Sequence, residues 1–156
     1  MGPMSISDEE GSACRFYLDL FIIHPSIDPR EITAALGLEP SNVHRVGDRR
    51  ATPKGRLLGG TYPDTRWRHS VRHENADRLF AGKIDEFLDR LVPYRGFLHQ
   101  LWETGGQATL IVYFIDGYFA DSVSHKTLSK MVNLHMDWGV ECLMEPQTIS
   151  PSQGCA

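Results

Sequence analysis

The chain has 156 residues, 41% hydrophobic and 23% charged, a size and balance that fit one globular domain with a sizeable core. No apolar run reaches the ~20 residues a membrane-spanning helix needs, and the opening "MGPMSISDEEGSA" lacks the apolar stretch of a secretory signal, so a cytoplasmic protein with no membrane partner is expected. The formal charge is −4, and three scattered cysteines without a CxxC (Cys14, Cys142, Cys155) indicate neither a disulfide framework nor a zinc ribbon, but reduced thiols, two in strands and one in the tail.

Both ends are small, polar and proline-containing, too poor in apolar side chains to offset the entropy of ordering them. Residues 1–13 and 147–156 are therefore expected to be flexible tails around a single domain spanning 14–146. Within it, "CRFYLDLFII" alternates: Phe16, Leu18, Leu20 and Ile22 share one face, and Arg15, Tyr17, Asp19, Phe21 and Ile23 the other. The second face is itself partly apolar, which suggests a central strand. "IDPREITAALGLEP" predicts a short helix with Asp28 as N-cap, Pro29 at its first position, Glu31 three residues after the cap and Gly37 closing it, with Ile32, Ala35 and Leu36 buried.

Two weak strands follow, near 43–46 and 66–71, joined by "ATPKGRLLGGTYPD", whose glycines and prolines read as a loop. Helical spacing then recurs in Phe80, Ile84, Phe87, Leu88 and Leu91, and again in Tyr94, Phe97, Leu98, Leu101 and Trp102, with Pro93 breaking the helix between them. "QATLIVYFIDG" reads as a buried strand ending in a turn. "SHKTLSKMVNLHMDWG" reads as a helix capped by Ser124 and stopped by Gly139, with Leu128, Met131, Val132 and His135 inward, and "VECLME" as the last strand. The order β-α-β-β-α-α-β-α-β predicts an α+β two-layer sandwich, a mixed, mainly antiparallel sheet with helices packed mostly on one face.

In this layout "IDPREITAALGLEPSNVHRVGD", "RWRHSV", "EFLDRLVPYRGFLHQLWETGG" and "LSKMVNLHMDWGVEC" resemble the bacterial domain-of-unknown-function family numbered 4279, over roughly residues 16–144. Where that family's pattern has a W-R-K-G-D box, this chain has His44-Arg45-Val46-Gly47-Asp48, with histidine in place of the aromatic. The resemblance implies no catalytic residues. Small domains of this type are similar in general style to immunity and other interaction proteins of bacterial conflict systems, a fold-level analogy.

Charge is unevenly placed. Between Val43 and His73 eight basic residues face two acidic ones, a segment charge of +6; the rest of the chain, with eight basic and eighteen acidic residues, carries −10. Such a split focuses potential on one region and steers anions toward it, although arginines on a solvated loop, paired within the chain, would look the same. If 66–73 is extended, Arg66, Arg68, Ser70 and Arg72 share one face and Trp67, His69, Val71 and His73 the other. Arginine outnumbers lysine seven to one in the segment and suits bidentate capture of carboxylate or phosphate. Arg45, Arg49, Arg66, Arg68 and Arg72 are the candidate binding residues, with reversal of Arg68 expected to leave folding nearly intact.

Other chemistries are weaker. His69 and His73, with His44, form a zinc set only if they converge, and on a strand a four-residue spacing is about 13 Å. There is no GxSxG, Walker loop or GxGxxG; Asp19 and Asp116 could pair as acid and base, but a strand-edge carboxylate is more often a solvated or turn residue. No cofactor, metal or catalytic site is expected. The leading expectation is a non-enzymatic interaction module whose arginine face takes an acidic protein, such as a toxin domain bound by an immunity-type protein. The alternative is a nucleic-acid or nucleotide binder, disfavoured because stacking aromatics are not evident near the arginines and the pI is about 5.9. A homodimer is a further partner class.

Overall fold

The computed structural model describes residues 14–76 and 79–143; the expected tails, Cys155 and the end of the last expected strand lie outside the described residues. The elements in order are β1 (Cys14–His24), α1 (Pro29–Leu36), β2 (Asn42–His44), β3 (Arg49–Ala51), β4 (Leu57–Thr61), β5 (Thr65–Ala76), α2 (Ala81–Leu91), α3 (Arg95–Glu103), β6 (Gln107–Asp116), α4 (His125–Asn133) and β7 (Met136–Cys142). Five strands form one sheet in the order β2-β5-β1-β6-β7, antiparallel except for the parallel β6–β7 pair, and β3–β4 form a separate hairpin. This is the α+β class that the sequence predicts.

The alternation of β1 sets the layers. Phe16, Leu18, Leu20 and Ile22 are buried together with Leu110 and Val112 of β6 beneath Ile84, Phe87, Leu88 and Leu91 of α2 and Leu98 and Leu101 of α3. Phe114 packs half-buried against this core. On the opposite face Asp19 and Ile111 are buried but Tyr17, Phe21, Ile23 and Tyr113 are half-buried, and the helices among the described residues pack on the first face, so the sheet has one helix-covered and one open side.

Helix α1 begins as expected: Asp28 accepts from the Arg30 backbone N–H at 2.9 Å, Pro29 follows, and Gly37 closes the helix at φ 63°, a left-handed cap that glycine adopts without a Cβ penalty. Pro93 sits in a 3-10 turn, Val92–Tyr94, between α2 and α3, since it cannot supply the hydrogen bond that would continue the helix.

Two expectations need correction. The glycine- and proline-rich stretch is not a plain loop but holds the β3–β4 hairpin, tied at its base by Gly47 and Tyr62, whose N–H groups donate to Tyr62 O and Asp48 O at 2.9 Å each. Helix α4 stops at Asn133, not Gly139, and Leu128 and Val132 are exposed while Thr127, Met131 and Leu134 are buried. His135 adopts a left-handed φ of 52°, which swings the chain directly into β7; Gly139 lies inside that strand, close against the Ile111 side chain.

His24, at the end of β1, is 4% exposed and held neutral by its partners. Nδ1 accepts from the backbone N–H groups of Ser26 and Ile27 at 3.1 and 3.0 Å. Nε2 donates to Thr104 Oγ1 at 2.9 Å, because that hydroxyl already donates to Gln100 O at 2.8 Å. A Cβ on Gly106 would lie 2.8 Å from His24 Cδ2 and 2.7 Å from Leu101 O, so only glycine fits beside the ring.

Burial lowers the pKa of His24, and burial with the nearby Lys83 charge lowers that of His73. The unfolded chain therefore binds more protons than the folded one below about pH 6.5, so stability is full above that value and falls as the pH drops toward the folded-state pKa values. Urea midpoints measured from pH 8 to pH 5 should decline in the wild type and decline less in His24→Gln. Equal slopes in the two proteins would show that His24 contributes nothing to the pH dependence.

Candidate functional site

β5 and β2 build the basic half of the open face. Trp67, 0% exposed, points into the core and donates its indole N–H to Thr33 Oγ1 at 3.0 Å, bracing β5 against α1. Its neighbours Arg66 and Arg68 are thereby directed to the open face, as strand alternation requires. β2 pairs Asn42 with Arg68 and His44 with Arg66, and β1 sets Phe21 opposite Arg68. Phe21, Asn42, His44, Arg66 and Arg68 line a pocket of about 260 Å³.

A larger cleft, about 680 Å³, opens between the N-terminus of α1, β2 and the β3–β4 hairpin. It is lined by Arg30, Arg45, Arg49 and Arg50 with Asp28 and Asp48, and by Asn42 and His44, which also line the smaller pocket. The His44 ring lies 4.3 Å from that of Tyr62, an aromatic wall between strand and hairpin. Arg30, through its side chain and its backbone N–H, holds the Asp28 carboxyl well below the usual carboxylate range, so this acid stays ionised at any physiological pH.

Of the five candidate arginines the structure brings four together: Arg45 and Arg49 in the cleft, Arg66 and Arg68 in the adjoining pocket. Arg72 is on the same face but four residues further along β5, about 13 Å from Arg68 at ~3.3 Å per residue. Four of the five have an acidic partner: Arg45 with Asp28 at 3.5 Å, Arg66 with Asp64 at 2.9 Å, Arg68 with Asp19 at 3.4 Å, and Arg72 with Glu74. Arg49 has no ion pair among the described residues. Except for that of Arg68, these are surface pairs of small net worth, which an incoming anion can replace.

Arg68 departs from the expectation of a freely reversible surface charge. Its partner Asp19 has a side chain only 8% exposed, and Asp19 Oδ1 has no hydrogen-bond partner among the described residues. Aromatics are also closer to the arginines than the sequence suggests: the Arg68 guanidinium lies 5.0 Å from the Phe21 ring centre and that of Arg72 5.9 Å from Tyr17. The alternation of β1 displays Tyr17 and Phe21 on this face, but only the β1–β5 register, invisible in a single sequence, sets them beside arginines.

The other candidates disperse. His69 contacts Glu39 O at 2.6 Å, His73 stacks on Phe16 at 4.8 Å and His44 lies tilted against Tyr62, so the three rings have separate surroundings. Asp116 pairs with Arg15 while Asp19 pairs with Arg68, and four residues of β1 separate the two sites, too far for joint acid–base work.

A family model described as a domain of unknown function, DUF4279, matches residues 12–141. The chain belongs to the DUF4279 family. No curated protein and no solved structure matches it. The DUF4279 match runs from before β1 to the penultimate residue of β7, so both the cleft and the open face lie within the family domain. Among the described residues, no helix is long and apolar enough to cross a membrane.

Proposed function

We propose that this domain is a non-enzymatic, cytoplasmic interaction module that presents its arginine-lined cleft and the adjoining pocket to an anionic partner, an acidic protein segment such as a toxin domain met by an immunity-type protein. One observation carries the reading: Arg45, Arg49, Arg66 and Arg68 converge on two cavities joined through Asn42 and His44. Forked guanidinium groups around a concave surface suit carboxylate side chains, each taken by parallel N–H donors. Low-dielectric walls focus their field and raise the rate of encounter with acidic partners.

Arg49→Glu is the informative substitution, because Arg49 is exposed and lines the cleft without an internal ion pair among the described residues. It should leave stability within about 0.5 kcal/mol and weaken partner binding on the order of tenfold. The measurement is capture from native lysate at low and high salt, with wild type and variant, followed by titration of the captured protein. Recovery of the same partners in all four conditions would reject the site. A second reading, nucleic-acid or nucleotide binding, is favoured by the placing of Phe21 beside Arg68 and Tyr17 beside Arg72. Retention of a single-stranded oligonucleotide, lost with Arg49→Glu, would select it.

A further inference from the structure

The open face carries an order that the cleft does not use. Two rows cross it from β5 to β7: Arg68–Phe21–Thr109–Asp137 and Arg72–Tyr17–Tyr113–Glu141. Each row is basic at its β5 end and acidic at its β7 end, with Phe21 and Thr109 between in the first and two tyrosines in the second. Between them runs Ser70–Asp19–Ile111–Gly139. Asp137 and Glu141 are exposed, and Tyr17, Phe21 and Tyr113 are half-buried on the face opposite the one where the helices among the described residues pack.

We propose that this face pairs with the same face of a second copy of the chain, through a two-fold axis parallel to the strands and running between β1 and β6. That axis lays β5 of one copy over β7 of the other, and β1 over β6. Every row then meets itself reversed: Arg68 over Asp137, Arg72 over Glu141, and Tyr17 over Tyr113, each contact occurring twice as an isologous interface demands. Asp19 falls over Ile111 and not over a second carboxylate. An axis running across the strands would instead stack arginine on arginine, so the charge pattern selects one orientation. Two sheets packed in this way keep their strands nearly aligned, the ordinary arrangement of a β-sandwich.

Four strands ~4.8 Å apart and about seven residues long offer a plane of roughly 19 by 23 Å. That is a small interface of the weak, reversible kind, with dissociation expected in the micromolar range. β2 and the β3–β4 hairpin lie outside the overlap, so the cleft stays open, whereas the adjoining pocket shares Phe21 and Arg68 with the row and is covered in the dimer; the proposal goes beyond the cleft's anionic partner and stands without it.

Sedimentation velocity from about 1 to 200 µM at low salt should give a monomer–dimer equilibrium that shifts toward monomer as salt rises. Arg72→Glu and Glu141→Lys, both at exposed positions, should each weaken the dimer on the order of tenfold, and an equimolar mixture of the two should restore it, because each clash becomes an attraction. Thermal melts check that both remain folded; Arg72→Gln and Glu141→Gln, which add no new charge, provide milder versions with a smaller loss. A wild type that stays monomeric, a dimer insensitive to both reversals, or a mixture that fails to recover would each overturn the proposal. So would a monomer whose Arg72→Glu variant loses an oligonucleotide, which would make the row a nucleic-acid surface. Loss of an acidic partner through Arg49→Glu is read in a separate assay and leaves this equilibrium unchanged.

Discussion

Replacing Trp67 with alanine is expected to destabilise the domain by about 3 to 5 kcal/mol and to disperse the arginine row. The side chain is fully buried and bridges β5 to α1 through the 3.0 Å hydrogen bond to Thr33. Removing it opens a cavity the size of an indole in a close-packed interior, where neighbours relax only in part. Because Trp67 lies between Arg66 and Arg68 and pairs with Val43 of β2, its collapse would shift both strands that line the small pocket. Trp67→Phe keeps most of the apolar contact and loses the N–H donor, for about 1 kcal/mol. Urea denaturation of both variants, with partner titration well below their melting temperatures, separates the two effects. A loss under about 1 kcal/mol for Trp67→Ala would contradict the burial.

The pattern of legibility follows from the range of each interaction. β1, α1, the break at Pro93 and β6 were readable because alternation, capping and proline chemistry are local and leave marks within a few residues. The β3–β4 hairpin was not, since its short strands lie entirely on the surface and carry no apolar periodicity. The end of α4 is not legible because Gly139 resembles a helix stop, whereas the turn is made by a left-handed His135, a conformation that non-glycine residues seldom adopt.

At the site, the alternation of 66–73 placed Arg66, Arg68 and Arg72 on one side, as the structure has them. What sits beside them depends on pairing between residues nearly fifty positions apart, such as Phe21 with Arg68. Asp19 shows the same limit. As a polar residue on a partly apolar strand face it reads as a solvated carboxylate, yet its side chain is 8% exposed and lies 3.4 Å from the Arg68 guanidinium.

The +6 segment thus resolves into two surfaces with different neighbours. Arg45 and Arg49 stand around a concave cleft remote from the acidic β7 edge, whereas Arg68 and Arg72 share rows with Asp137 and Glu141.

Reversing Arg68 to glutamate is the substitution for which sequence and structure disagree most. On the sequence it is a surface change; in the fold it removes the counter-ion of a carboxylate whose side chain is 8% exposed and sets a second negative charge beside it. An uncompensated buried acceptor costs about 1 to 3 kcal/mol and a broken buried ion pair about 3 to 5; since Arg68 is itself 36% exposed, about 3 kcal/mol is expected. Adding Asp19→Asn should recover much of that loss, because the repulsion disappears with the charge, and the two changes should be non-additive by more than about 1 kcal/mol. Replacing both residues by leucine should leave stability nearly unchanged, since apolar pairs of similar volume substitute well for buried ion pairs. The same double leucine variant should still lose partner binding and self-association, as it removes the guanidinium from the pocket and from its row. Equilibrium denaturation of the four proteins decides the matter: additive losses, or a reversal costing under about 0.5 kcal/mol, would mean that Asp19 and Arg68 do not interact and that the open face is no more than a solvated surface at this point.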